Sequence, residues 1–189
     1  MNTHLIRSGL WRWLQGTGME RFEFLRAGEE WLFRGAILTQ SGEAAAEVRY
    51  ELACDHLFRT RRATVSLRTS AAEQTLEIAA EHGRWFANGQ EVSSVSGAID
   101  IDLSWSPSTN TLPIRRLNLA PGQSSGEIIA AWLRFPELTL QPLPQEYLRL
   151  SQDRYRYSSR SGSFTAELLV DSDGLVVDYG NFWQRVQNI

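Results

Sequence analysis

The chain has 189 residues, of which 42% are hydrophobic and 22% are charged, and its formal net charge is −3. This length and composition predict one globular domain over residues 1–189 and exclude a disordered chain. The acidic balance argues against a general nucleic-acid-binding protein, whose surface would be basic, so we expect no nucleic-acid partner.

The sequence shows no segment of the kind that directs a protein into or across a membrane. Arg7 and Arg12 interrupt the N-terminal apolar residues before they reach the length of a signal peptide. A run of 18 consecutive apolar residues, which a membrane-spanning helix would need, does not occur. The sequence therefore predicts a cytoplasmic protein with no stable membrane insertion.

Apolar and polar residues alternate along most of the first half of the chain, which is typical of half-buried β-strands. In the segment Glu47–Cys54 the alternation places Cys54 on the same apolar face as Val48 and Leu52. We therefore expect Cys54 to be a small, buried hydrophobic side chain. The pair Asn88-Gly89 is typical of a type I′ hairpin turn. The predicted strands of this half are residues 21–25, 30–34, 47–54, 64–68, 74–78, 84–87 and 98–103.

The second half also contains short predicted strands. Residues 128–135 are mostly apolar, a pattern that fits a buried strand or one or two turns of helix. Pro142 and Pro144 predict a break between two strands, since proline has no backbone N–H to donate. The predicted strands around and after this break are residues 138–140, 147–150, 155–157, 164–168 and 175–179.

Two glycine-containing pairs predict turns between the last strands. Ser161-Gly162 fits a hairpin, and Asp173-Gly174 fits a second type I′ turn. Asn181 is a candidate N-cap, so residues 181–186 are predicted to form a terminal helix.

About twelve short strands in one domain exceed what an open, strongly twisted sheet usually holds. We therefore expect an all-β, mainly antiparallel fold in which a curled sheet forms a half-barrel or spiral β-roll with few short helices. Curled sheets of this kind commonly enclose a ligand cavity.

One motif suggests hydrolysis but lacks its partners. Residues 122–126 match the nucleophile elbow G-x-S-x-G, with Ser124 at its centre. A hydrolase of that class needs a histidine further along the chain, whereas His4, His56 and His82 all precede the motif. We interpret the segment as a turn and assign no catalytic residue to it. The single cysteine and the dispersed histidines predict no metal site and no cofactor.

The segment after residue 99 has the highest density of polar and aromatic side chains. Asp100 and Asp102 lie two residues apart, so an extended chain would point both carboxylates to one face. Prolines at 107 and 113 constrain the path between them and two adjacent arginines, which lowers the entropy cost of ordering the segment around a ligand. The pattern is equally consistent with a binding segment and with a structural clasp.

The same segment, DIDLSWSPSTNTLPIRRLNL at residues 100–119, resembles the hallmark of a bacterial family described as putative glycolipid-binding proteins, formerly a domain of unknown function. The resemblance extends over roughly residues 10–186. It implies a curved β-sheet like those of lipid carriers of the bacterial envelope, with an apolar hollow. Further matching pieces are residues 18–21, Tyr50, 59–61, 132–136, 145–147 and 169–179.

Together, pattern and resemblance predict a non-enzymatic protein that binds an amphiphilic ligand, such as a glycolipid, in the hollow of the curved sheet. The head group would contact arginine, asparagine and aspartate side chains, and a tryptophan would stack on a sugar ring. Replacing both arginines should then weaken binding and leave the fold intact. The predicted ligand-binding residues are Asp100, Asp102, Trp105, Asn110, Arg115, Arg116 and Trp85.

Two other classes of function stay open. Asp100 and Asp102 are candidates for the acid and base of an enzyme that acts on a sugar or a lipid-linked sugar. Alternatively, the proline-containing segment is a docking site in a protein-interaction module. The absence of a second acidic cluster favours binding over catalysis.

Overall fold

The computed structural model describes residues 3–41, 44–160 and 162–186. Within these residues a single helix of the α type, α1 (Thr111–Leu117), accompanies two turns of 3-10 helix, Ser93–Val95 and Ser108–Asn110. No helix in this part of the chain is both long and apolar enough to cross a membrane. The strands are β1 (Thr3–Trp13), β2 (Gly18–Ala27), β3 (Glu30–Ser41), β4 (Ala44–Cys54), β5 (Thr60–Thr69), β6 (Glu73–Glu81), β7 (Arg84–Ala87), β8 (Gln90–Glu91), β9 (Ile101–Leu103), β10 (Ile128–Arg134), β11 (Thr139–Arg149), β12 (Arg154–Ser159), β13 (Phe164–Val170), β14 (Val176–Tyr179) and β15 (Trp183–Val186).

All of these strands belong to one curled, unclosed sheet, as the sequence predicts. Its order is β8-β7-β6-β5-β4-β3-β2-β1-β15-β14-β13-β12-β11-β10-β9, so most neighbours in the chain are neighbours in the sheet. The pairing of β1 with β15 joins the first half to the second. Strands β9 and β10 run parallel, and the other pairs are antiparallel.

Strand β10 separates two hydrophobic cores. Ala131 and Leu133 pack into the larger core, together with Ile101 and Leu103 of β9. Ile128 packs against the smaller core, which contains tyrosines of β11 and β12. Because alternate residues of a strand point to opposite faces, this short strand contributes to both cores.

The predicted buried face of β4 is confirmed. Val48, Leu52 and Cys54 have no exposed surface and belong to the larger core. Burial raises the pKa of the Cys54 thiol well above its usual value, which makes a thiolate at neutral pH unfavourable. Cys54 is therefore a packing residue.

The predicted break at Pro142 and Pro144 is wrong, because β11 runs through both residues. Along this stretch β11 pairs with β10, whereas its pairing with β12 covers only Gln145–Arg149. The Pro144 carbonyl accepts a hydrogen bond from the N–H of Arg160, the residue after β12, so the backbone nitrogen of Pro144 faces that side of β11. Pro142 lies two residues earlier and faces the same side, where β12 does not extend. A strand tolerates proline at such an unpaired edge.

The predicted terminal helix is also wrong. Residues Trp183–Val186 form β15, which pairs with β1 on one side and β14 on the other. Backbone hydrogen bonds to two strands outweigh the local capping preference of Asn181, since propensity is weaker than tertiary pairing. The predicted strand over 98–103 is shorter than expected and begins at Ile101, whereas residues 128–134 do form a strand.

Two of the turn predictions differ in outcome. Asn88 and Gly89 have φ angles of 48° and 78°, as a type I′ hairpin requires. At Asp173-Gly174 only the glycine has a positive φ, 79°, so this turn is not type I′. The Asp171 carboxylate instead accepts hydrogen bonds from the backbone N–H groups of Asp173 and Leu175, at 2.9 and 3.0 Å.

A glycine in β3 makes room for a tyrosine in β4. Gly35 lies directly opposite Tyr50. A Cβ atom added at Gly35 would lie 2.1 Å from Tyr50 Cε1, much closer than any van der Waals contact. Because Tyr50 is 4% exposed and enclosed by the core, its ring has no free space to move into.

We therefore expect Gly35→Ala to lower the free energy of unfolding by about 1–3 kcal/mol, the usual cost of overpacking a core. Urea denaturation measures this change. Gly16→Ala is the matched control, because a Cβ there would meet its nearest atom at 3.5 Å, an ordinary contact. Equal stability of the two variants would contradict the packing argument.

Candidate functional site

The two predicted acidic residues have different partners. Asp100 is 3% exposed and accepts two hydrogen bonds from Arg116, one from Nε at 3.0 Å and a second from Nη2. Burial raises the pKa of Asp100, and the hydrogen bond and charge of Arg116 oppose this effect. This pair attaches α1 to the start of β9, so Arg116 is engaged inside the protein.

Asn110 is similarly engaged. It is 7% exposed, and its Nδ2 donates to the carbonyl oxygen of Pro107 at 3.1 Å. Its Oδ1 accepts a hydrogen bond from the Tyr147 hydroxyl at 2.9 Å. The amide thus connects the 3-10 turn before α1 to strand β11, which matches the clasp interpretation of this segment.

Two of the residues predicted to bind the ligand, Trp85 and Arg115, do not line a cavity together with the other residues of segment 100–119. Trp85 has no exposed surface, and its Nε1 donates to the carbonyl oxygen of Ala98 at 2.9 Å. Arg115 is exposed on α1, with its guanidinium carbon 5.1 Å from the centre of the Phe58 ring. Neither side chain is placed to contact a ligand bound by the remaining predicted residues.

One buried carboxyl group, Glu20, is hydrogen-bonded to segment 100–119 and is not among the residues predicted from the sequence. Glu20 of β2 has no exposed surface, and its Oε1 accepts hydrogen bonds from the Tyr50 hydroxyl at 2.5 Å and Ser106 Oγ at 2.9 Å. Burial raises the pKa of Glu20 to about 8, and these two hydrogen bonds oppose the rise. The alternation of β2 places Glu20 on the face of Phe22 and Phe24, a signal that could have identified it.

One end of the roll contains a cleft with two adjoining parts. The first, which we call the aromatic pocket, has a volume of about 200 Å³. Several strands reach this end, since Trp13 ends β1, Tyr179 ends β14, and Trp183 begins β15. The aromatic pocket is lined by Trp13, Ile37, Thr39, Ser104, Trp105, Phe164, Tyr179, Phe182 and Trp183.

The second part, the polar pocket, has a volume of about 170 Å³. It shares Ser104, Phe164, Tyr179 and Trp183 with the aromatic pocket, so the two parts of the cleft adjoin along these four residues. The other residues that line the polar pocket are Asp102, Leu103, Ser106, Asn110, Trp132, Leu143, Tyr157, Ser159 and Arg160.

The cleft brings together three of the seven predicted residues, namely Asp102, Trp105 and Asn110. Trp105 is half-buried, and its ring stacks on Phe135 with centroids 4.9 Å apart. One face of the indole is therefore used within the protein. The structure does not bring Asp100, Arg115, Arg116 or Trp85 to the cleft lining.

Asp102 is the acidic residue that lines the cleft. Its Oδ2 accepts a hydrogen bond of 2.5 Å from Gln145 Nε2, which also donates to the Tyr157 hydroxyl at 3.0 Å. Burial raises the pKa of Asp102 to about 6, and the Gln145 hydrogen bond opposes the rise. Near neutral pH Asp102 is mainly ionised and can accept hydrogen bonds from hydroxyl groups.

The remaining chemical candidates do not form a second site. Ser124 Oγ donates to Glu146 Oε1 at 2.5 Å on the surface, consistent with a turn role. Within residues 3–41, 44–160 and 162–186, no group of three or more histidine, cysteine, aspartate or glutamate side chains could hold a metal ion. The cleft is therefore the candidate site that the geometry favours.

Comparison with known proteins supports a family relationship. A family model described as "Putative glycolipid-binding" matches residues 9–185. The fold also matches a crystal structure of a DUF1089 family protein from Pseudomonas aeruginosa, with a TM-score of 0.82 and 32% sequence identity. That match covers 95% of this chain and 97% of the other. The chain has no match among curated proteins.

Proposed function

The chain belongs to the putative glycolipid-binding family, and from this membership we propose that its cleft binds an amphiphilic ligand such as a glycolipid. The resemblance at residues 100–119 indicates the same family. The observation that carries the proposal is that an aromatic and a polar pocket lie side by side, with four residues that line both. An amphiphile has an apolar part covalently joined to a polar part, and the cleft offers surroundings for each.

We place the ligand in the cleft rather than in the hollow of the sheet. The inside of the curl is filled by side chains with no exposed surface, including Trp11, Leu52 and Leu112. Both pockets are smaller than the roughly 300–1,000 Å³ of sites that enclose a drug-sized ligand. The cleft therefore accommodates a sugar ring and the first methylene groups of a chain, and the rest of the chain extends beyond it.

The division of roles follows from the side chains. Methylene groups would pack on Trp13, Phe182 and Trp183 in the aromatic pocket, each contributing about 0.8 kcal/mol when fully buried. Sugar hydroxyl groups would donate hydrogen bonds to the Asp102 carboxylate in the polar pocket. Trp105, which lines the aromatic pocket, offers an aromatic surface to a sugar ring or chain.

A substitution that fills the aromatic pocket tests the proposal. Thr39 is half-buried in its wall, so Thr39→Trp would occupy the space that the ligand needs. We expect at least about a tenfold loss of affinity for octyl glucoside, an octyl chain joined to one glucose, as measured by calorimetric titration below the micelle concentration. The tryptophan ring would exclude the ligand from the pocket sterically. The substitution removes no polar group to which we assign a role in binding.

Leu38→Trp is the matched control. Leu38 is the preceding residue of β3, points to the opposite face and is 62% exposed. This variant adds the same side chain on the outside of the sheet, and its affinity should equal that of the original protein. Equal binding by both tryptophan variants would show that the ligand does not occupy the aromatic pocket.

A further inference from the structure

The polar pocket contains an arginine, Arg160, that forms no ion pair with a carboxylate of the described residues. In the described residues, twelve of the 19 arginines have a side-chain nitrogen within 4.0 Å of a carboxylate oxygen. Arg160 lines the cleft but forms no such ion pair and no side-chain hydrogen bond within residues 3–41, 44–160 and 162–186. A guanidinium group has five N–H donors, so Arg160 retains its capacity to bind an anion.

The surroundings of Arg160 hold it at the pocket. Its backbone N–H donates to the carbonyl oxygen of Pro144 at 3.0 Å, which attaches the turn after β12 to β11. Its guanidinium carbon lies 5.0 Å from the centre of the Trp132 ring, and Trp132 also lines the polar pocket. A cation over an aromatic face is stabilised while the N–H donors at its edge stay available to a ligand.

In the polar pocket the negative charge of Asp102 and the positive charge of Arg160 both act on the Tyr157 hydroxyl group. Burial raises the pKa of the Tyr157 phenol, the charge of Asp102 raises it further, and the charge of Arg160 opposes the rise. Asp102 is half-buried and hydrogen-bonded to Gln145, whereas Arg160 is exposed in the turn after β12. A matching head group therefore has hydroxyl donors toward Asp102 and a negative group toward Arg160.

We propose that Arg160 makes the cleft selective for amphiphiles whose head group carries an anionic group, a carboxylate or a phosphate, beside its hydroxyl groups. This inference rests on the proposed function, because it specifies the ligand of the same cleft. Carboxylate and phosphate share the geometry that a guanidinium binds through two parallel hydrogen bonds. Arg116, one of the two arginines predicted to bind the head group, is paired with Asp100. Arg160 therefore takes the role that the sequence assigns to Arg116.

Three octyl sugars that differ at a single position test the proposal. Octyl glucoside carries a hydroxymethyl group at C6, octyl glucuronide carries a carboxylate there, and octyl glucoside 6-phosphate carries a phosphate. In calorimetric titrations at low salt we expect at least one of the anionic ligands to bind about tenfold more tightly than the neutral one. The ligand with the larger gain identifies which anionic group the cleft prefers.

Arg160→Gln should reduce that preference to within about twofold, because the charged contact with the anionic group is lost. Arg156→Gln is the matched control, since Arg156 is exposed on β12, the strand that precedes Arg160, and does not line the cleft. It should retain the full preference. Circular dichroism would verify that both variants are folded.

The outcomes separate this inference from the function on which it rests. Equal affinity for the three ligands, with binding still weakened by Thr39→Trp, would overturn the anionic selectivity and leave amphiphile binding in place. An anionic preference that persists in Arg160→Gln would overturn the role of Arg160. Failure of all three ligands to bind would overturn the proposed function and this inference with it.

Discussion

Replacing Arg116 with methionine is expected to lower the free energy of unfolding by about 3–5 kcal/mol. Asp100 and Arg116 form a pair whose side chains are only 4% and 14% exposed. Removing the arginine leaves a buried carboxyl group without the donor of these two hydrogen bonds, which is costly in the protein interior. Urea denaturation monitored by circular dichroism measures the loss.

The loss should depend on pH. Burial raises the pKa of Asp100, and Arg116 lowers it, so removing Arg116 raises it further. A carboxyl group whose pKa is raised in the folded state costs stability as the pH rises toward that pKa. Arg116→Met should therefore be less destabilised at pH 5 than at about pH 8.

Two comparison variants identify the cause. Arg115→Met removes the neighbouring exposed arginine and should cost less than about 1 kcal/mol. Asp100→Asn combined with Arg116→Met removes both charges and should regain most of the stability. If Arg116→Met is as stable as Arg115→Met, the ion pair does not attach α1 to the sheet. The sequence leads us to expect that both arginines can be replaced without harm to the fold, whereas from the structure we expect this only for Arg115.

The second large effect is expected at Glu20. This carboxyl group has a pKa of about 8 in the folded protein, because burial disfavours its charged form. Its usual value is 4.5, so between these two pH values the unfolded chain has lost the proton while the folded protein keeps it. Stability therefore falls as the pH rises through this window and is constant above it, as far as this group is concerned.

Glu20→Gln removes this pH dependence while keeping the shape of the side chain and an oxygen that accepts from Tyr50 and Ser106. We compare the free energy of unfolding of the variant with that of the original protein at each pH. This difference should change in favour of the variant by on the order of 4 kcal/mol from pH 4.5 to pH 9. Denaturation of both proteins at several pH values measures the difference. A difference that does not change with pH would show that Glu20 is not buried as a neutral acid.

The sequence was sufficient to predict the curled all-β fold and most of its strands. Alternation identified β2 to β7 because one face of each strand is buried and the other exposed. It failed at Pro142 and Pro144, since tolerance of proline depends on where the neighbouring strand ends. It failed at residues 183–186 because β15 is stabilised by strands that lie far away in the chain.

The candidate site was less predictable for a similar reason. The sequence singles out the segment from Asp100 to Arg116 for its unusual chemistry, but several of its polar groups form hydrogen bonds to other parts of the chain. The partner of Asp102 is Gln145, which lies 43 residues later. Trp13 and Trp183 come from opposite ends of the chain and meet only because β1 pairs with β15. Local patterns do not contain this information.

The most direct test of ligand binding in the cleft is chemical-shift mapping by NMR. The isotope-labelled protein would be titrated with octyl glucuronide below its micelle concentration, and each backbone amide would be followed. We expect the largest shifts at Ser104, Trp105, Phe164, Tyr179 and Arg160. Shifts confined to the outer face of the sheet, or no saturable shifts at all, would contradict binding in the cleft.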